Sequence, residues 1–168
     1  MLALLDQCIA LEHAAAAVYE ILTRRFAHDV ELAALWAALA RDEHDHARRL
    51  AACRDALACE PAEGAPAARG FEETVADVRW LLTQSRIDAE TADEEEAFAI
   101  ALAMENSELD AVFATLQQSA LRGRAAQVTD GMRPDGAAHY GKLLAMAKRR
   151  CRAERTMRRA ALLAEHHR

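Results

Sequence analysis

The chain has 168 residues, 52% of them hydrophobic but only 5% aromatic, with 21 basic and 27 acidic side chains giving a net charge of −6. That length is enough to bury a core in one domain (1–168) without disulfide staples, and the acidic balance excludes general nucleic-acid binding. Glycine (6) and proline (3) are scarce beside alanine, leucine, glutamate and arginine, a bias that favours helix because these side chains lose least on entering one. No window combines β-branched and aromatic enrichment with strict alternation, so the expected class is all-α.

The four cysteines, Cys8, Cys53, Cys59 and Cys151, form no CxxC pair and no zinc-like spacing, and read as reduced thiols. The opening Met1-Leu2-Ala3-Leu4-Leu5-Asp6 has no basic stretch before its apolar residues, unlike a signal peptide. No run reaches about 18 uninterrupted apolar residues. The expectation is a cytoplasmic protein with no membrane span.

In chain order, a first helix is expected over residues 2–27, then a short turn at His28-Asp29 with Asp29 capping a second helix over 30–58. So short a connection makes the two antiparallel neighbours. Residues 59–70, with Pro61, Gly64, Pro66 and Gly70, are the clearest break, opening a crossover over 59–92 with a short helix at about 71–85. Thr91 and Glu94 have the spacing of a capping box for a third long helix over 93–120. A second break, Thr129 to Gly136, leads to a last helix over 134–165, with Pro134 at its first position. The acidic Asp93–Glu96 run and the basic stretch from Lys142 onward fit a helix start and a helix end. Two helices, a long crossover and two more helices is the connectivity of a ferritin-like four-helix bundle.

The chemistry lies in where the ionisable residues fall. Leu5, Cys8, Ala15, Tyr19, Leu22 and Phe26 form one apolar stripe, with Glu12 in its middle. Glu43 and His46 sit within the stripe Leu32, Leu35, Leu39, Leu50 and Leu57. Glu105 and Glu108 are bracketed by Phe98, Ala101, Val112 and Leu116, and His139 shares a stripe with Leu143 and Met146. Each long helix thus turns a metal-ligand type inward, and no lysine or arginine lies on the stripes beside the acids. A buried carboxylate without a partner costs several kcal/mol, roughly what breaking a buried ion pair costs; a cation is the simplest remedy. Glu43 and His46, three apart, share a helix face and can serve one metal. His13, His28, His44, His166 and His167 read as surface residues.

These residues resemble the ferritin-like domain of the rubrerythrin family. Glu12 with Tyr19 is similar to its first-helix pattern. Arg41-Asp42-Glu43-His44-Asp45-His46 resembles its Glu-x-x-His signature, and Glu105-Asn106-Ser107-Glu108 its third-helix Glu-x-x-Glu. The resemblance implies Glu12, Glu43, His46, Glu105, Glu108 and His139 as ligands of two irons per chain, with Glu43 bridging and Tyr19 supporting a ligand carboxylate. It implies a non-haem di-iron, or di-manganese, protein acting by peroxide reduction or ferrous oxidation, and a homo-oligomer, with a dimer favoured over a cage.

Two departures stand out. The family's fourth helix also carries Glu-x-x-His, whereas Gly136 stands three residues before His139; Asp135 is the nearest acid. Either Asp135 or water fills that place, or the site holds one metal, another metal or none. The cysteines of a rubredoxin module are also missing, so electrons for a redox reaction must come from a separate carrier. The alternative is a scaffold that has lost its redox chemistry and serves binding or regulation, with the basic last helix (Arg149, Arg150 and Arg152) as its interaction surface.

Overall fold

The computed structural model describes residues 2–58, 71–107 and 136–165. The described residues form helices α1 (Leu2–Arg25), α2 (Val30–Ala58), α3 (Phe71–Ala89), α4 (Glu94–Ser107), α5 (Gly136–Arg150) and α6 (Ala153–Glu165). There is no strand among the described residues. The fold is the all-α, ferritin-like bundle expected, with α1, α2, α4 and α5 carrying the inward-facing acids and histidines.

The α1–α2 hairpin is set by its turn. The Asp29 carboxylate accepts from the amides of Glu31 and Leu32, both at 3.1 Å, satisfying two of the N–H groups that a helix start leaves open. The two helices run antiparallel, so Asp6 meets Arg54 while Glu12 meets His46. Leu5, Cys8, Leu11, Ala15, Tyr19 and Leu22 from α1 and Leu32, Trp36, Leu39 and Leu50 from α2 interlock in one core, joined by Val75, Val78 and Leu82 of α3, Phe98 and Leu102 of α4, and Leu143 of α5. By length and composition α1 could cross a membrane, but the face bearing Glu12 and Tyr19 is buried against its neighbouring helices.

Three expectations change. The crossover helix α3 continues four residues beyond 85, because Ser85 and Ala89 keep its buried face in register against α1 and α4. The capping box at the start of α4 is Asp93 with Glu96, not Thr91 with Glu94. The Asp93 amide donates to Glu96 Oε2 (2.9 Å) and the Glu96 amide to Asp93 Oδ1 (2.8 Å). Arg25 explains the shift, since its guanidinium donates to the carbonyls of Thr91 and Ala92 and holds those residues in the preceding turn.

Lastly, the single helix expected over 134–165 is interrupted at Cys151-Arg152. The Arg152 carbonyl accepts from the amides of Arg155 and Thr156 as α6 begins. This lets α6 lie along α4, where Arg155 reaches Glu95 and Arg159 reaches Glu96. Pro134, and the expected course of the third long helix beyond Ser107, lie outside the described residues.

Candidate metal centre

Glu12 on α1, Glu43 and His46 on α2, Glu105 on α4 and His139 on α5 converge at the middle of the bundle. Glu12 is wholly buried, Glu43 is 2% exposed and His139 is 2% exposed. The helical register that places Leu5, Cys8 and Tyr19 in the core carries Glu12 with it, and the same holds for Glu43 between Leu39 and Leu50.

The donor atoms fall into two triads. Glu12, Glu43 and His46 bring one atom each within 4.8 Å of one another, and so do Glu43, Glu105 and His139. Glu43 belongs to both, and its two oxygens point different ways. Its Oε2 lies 3.0 Å from His46 Nδ1, while its Oε1 lies 3.8 Å from His139 Nδ1. Glu12 Oε2 is 3.7 Å from His46 Nδ1, and Glu105 Oε2 is 3.7 Å from His139 Nδ1. The imidazoles of His46 and His139 stack with centroids 5.7 Å apart. Glu108 and Asp135, the remaining expected ligand and its stand-in, lie outside the described residues.

Two partners orient these groups from behind. The Tyr19 hydroxyl donates to Glu105 Oε1 at 2.7 Å. Burial, and then the charges of Glu105 and Glu43, push the Tyr19 phenol well above its ordinary range, so it stays a donor. Asp42 Oδ2 lies 3.0 Å from His139 Nε2, fixing the tautomer that leaves Nδ1 facing Glu43 and Glu105. Sequence periodicity passes over Asp42, which is 42% exposed and adjacent in the chain to the buried Glu43. Its signal is only that residue adjacency.

The electrostatics show what the arrangement lacks. Both carboxylate oxygens of Glu12 are buried with no hydrogen-bond partner among the described residues. Burial pushes the Glu43 carboxyl up to about 7, against the lowering effect of the hydrogen bond with His46. Burial alone would lower His46, but the facing carboxylates of Glu12 and Glu43, the latter hydrogen-bonded to it, prevail and push it up to about 10. Two buried acids thus face one imidazole. The donor set therefore fits cations. Three carboxylates and two imidazoles are the mixed oxygen–nitrogen ligation that iron, manganese and zinc accept, and a carboxylate facing two triads suits a metal pair about 3.5–4 Å apart. Among the described residues the thiols stand aside: Cys8 and Cys53 are buried and Cys151 partly so, all free, and burial, then Glu12, pushes Cys8 up to about 12.

A bundle of this connectivity, holding paired carboxylate–histidine triads across four helices, is a ferritin-like protein with a candidate metal centre. The chain belongs to the rubrerythrin family, whose sequence model matches residues 3–150. Neither the curated proteins nor the solved structures contain a match to it.

Proposed function

We propose that this protein is a non-haem di-iron, or di-manganese, oxidoreductase that reduces peroxide or oxidises ferrous iron with oxygen. The observation that carries the reading is Glu43, which turns one oxygen to each triad. Glu12, Glu43 and His46 would hold one ion, and Glu43, Glu105 and His139 the other. Bound iron supplies a reversible one-electron change at each ion. The protein holds the ligands in register through the Tyr19–Glu105 and Asp42–His139 contacts and excludes bulk water from the Glu12 side. The exposed edge of Asp42 joins His139 to solvent and gives protons a route to and from the buried histidine. Electrons would come from a separate carrier, and the protein would work as a cytoplasmic dimer.

The test is iron content per chain after anaerobic ferrous loading, beside Glu43→Ala, followed by mixing the loaded protein with peroxide or with oxygen. Two ions in the parent chain and their loss in the variant are expected, with faster oxidation by one of the two oxidants naming the reaction. Full iron retention in Glu43→Ala would remove the reading.

Gly136 favours a second reading, a scaffold that binds partners without redox chemistry. Its expected surface is already engaged in part, since Arg149 pairs with Glu31 and Arg150 with Asp29, Glu31 and Glu94. This reading predicts one ion or none in the parent chain, and loss of partner binding on charge reversal at Arg149, Arg150 and Arg152.

A further inference from the structure

The family match ends at residue 150, so α6 lies beyond it. Yet α6 covers part of the bundle. Every residue over 97–104 of α4 is buried, the mark of a helix covered on all sides. Helices α1, α3 and α5 pack on part of that surface and α6 on the rest. Thr156 and Ala160 are the buried residues of α6, and the Tyr140 hydroxyl of α5 meets Met157 Sδ at 3.8 Å. Arg155 and Arg159 reach Glu95 and Glu96 of α4 at 3.7 and 2.7 Å.

The joint before α6 is poorly built as a turn. Arg150 is clamped by Asp29, Glu31 and Glu94, and the Cys151 amide still donates to the Ala147 carbonyl at 2.8 Å, so α5 runs intact to the break. No glycine or proline occurs over 142–168. Arg152 stands where Ser, Thr, Asp or Asn would cap α6, and its guanidinium can donate but not accept. A break also leaves carbonyls of one helix and amides of the next without helical partners. A straight helix over 136–165 restores those bonds. It also carries the 13 residues of α6 about 20 Å beyond α5, baring an apolar face of α4 that needs another cover.

We propose that two copies of this chain exchange α6: the joint straightens in each, and α6 docks on the α4 of the other copy. This gives the dimer of the proposed function its interface, and it rests on that dimer and not on the metal chemistry. The exchanged pair reproduces every contact of α6, with Arg155 and Arg159 of one copy facing Glu95 and Glu96 of the other. It adds the helical bonds of two straightened joints. Against it stands the lost freedom of two associating chains, so concentration sets the balance. A short joint under strain favours such exchange between identical chains.

The test is the mass of the full chain in solution, by size-exclusion chromatography with light scattering over a concentration series. The parent chain should form a dimer. Ala153→Pro should weaken it on the order of 100-fold or more, because proline suits the first position of α6 but breaks a straight helix at both joints. Its iron content should match that of the parent chain. A charge-swapped pair tests the docking itself. Glu95→Arg with Glu96→Arg opposes α6 within its own chain, and so does Arg155→Glu with Arg159→Glu. Each alone should keep its helical circular dichroism and stay monomeric, and the two mixed should form a one-to-one dimer. A parent dimer undiminished by Ala153→Pro would overturn the exchange, as would a mixture that stays monomeric. A parent chain monomeric at every concentration would overturn the exchange and the dimer together, leaving the iron reading to its own test.

Discussion

Asp29, Glu31 and Glu94 at one end of the bundle and Glu12, Glu43 and Glu105 in its middle are the same chemical groups in opposite circumstances. At the end, a single guanidinium gathers the acids: Arg150 meets Glu94 and Asp29 at 2.5 Å and Glu31 at 3.2 Å, all within reach of solvent. In the middle, Glu12 and Glu43 are dry and share a single imidazole, His46. Water and arginine can dissipate negative charge at the first place. At the second, only a proton or a metal can. The contrast separates acids that tie helix ends together from acids gathered in the middle of the bundle.

The strongest way to break that contrast is Glu12→Met, which removes the buried carboxyl that has no hydrogen-bond partner, at similar volume. The metal-free protein should gain about 1–4 kcal/mol, as when buried ionic groups give way to packed apolar ones. At roughly 2–4 °C per kcal/mol for a chain of this size, thermal melts in chelator detect the gain, and melts with ferrous iron should show the parent chain overtaking the variant. A variant that melts lower than the parent in chelator would mean that Glu12 has a structural partner.

Next come the two orienting contacts. Asp42→Asn and Tyr19→Phe should each weaken metal binding by roughly 10–100-fold while leaving the helical circular dichroism unchanged. Competition with a chromophoric chelator measures this, and unaltered affinity in both would reduce these contacts to packing.

A pH series sharpens the comparison further. Folding raises both Glu43 and His46 above their ordinary values, so the folded state binds protons more tightly than the unfolded one. Stability from these groups is present at low pH and lost as pH rises, from about 4.5 to 7 for Glu43 and from about 6.5 to 10 for His46. Metal competes with those protons, so its affinity should rise over the same range. The metal-free protein should therefore melt lower at pH 8.5 than at pH 6, and the loaded protein should not.

The smallest effect is expected at the other pole of the comparison. Arg150→Ala should lower the melting temperature modestly, less so in high salt, with metal content untouched. A loss of metal in this variant would show that the two regions are coupled.

Much of the centre was legible because burial and helical period act together. Glu12, Glu43, Glu105 and His139 each occupy a stripe position that apolar neighbours define, and the fold brings those stripes to one place. Asp42 was not legible, because it reaches His139 from a half-exposed position that no periodicity marks. The break at Cys151-Arg152 was hidden for another reason. It has no glycine or proline, its sequence favours helix, and the turn exists because α6 pairs with the acidic start of α4. The capping box moved for a like cause, the hold of Arg25 on the two carbonyls before it. In each case a distant contact overrode a local preference.

The pairing of Trp36 with Tyr19 has an optical consequence. The chain has two tryptophans. Trp36 is fully buried, its ring 6.2 Å from that of Tyr19, the residue whose hydroxyl touches Glu105, whereas Trp80 is 48% exposed on α3. Their fluorescence should divide into a blue-shifted component from beside the centre and a red-shifted one from the surface. A paramagnetic ion entering the bundle would quench the first far more than the second, so the protein carries its own indicator of occupancy, with an internal reference, and needs no added label.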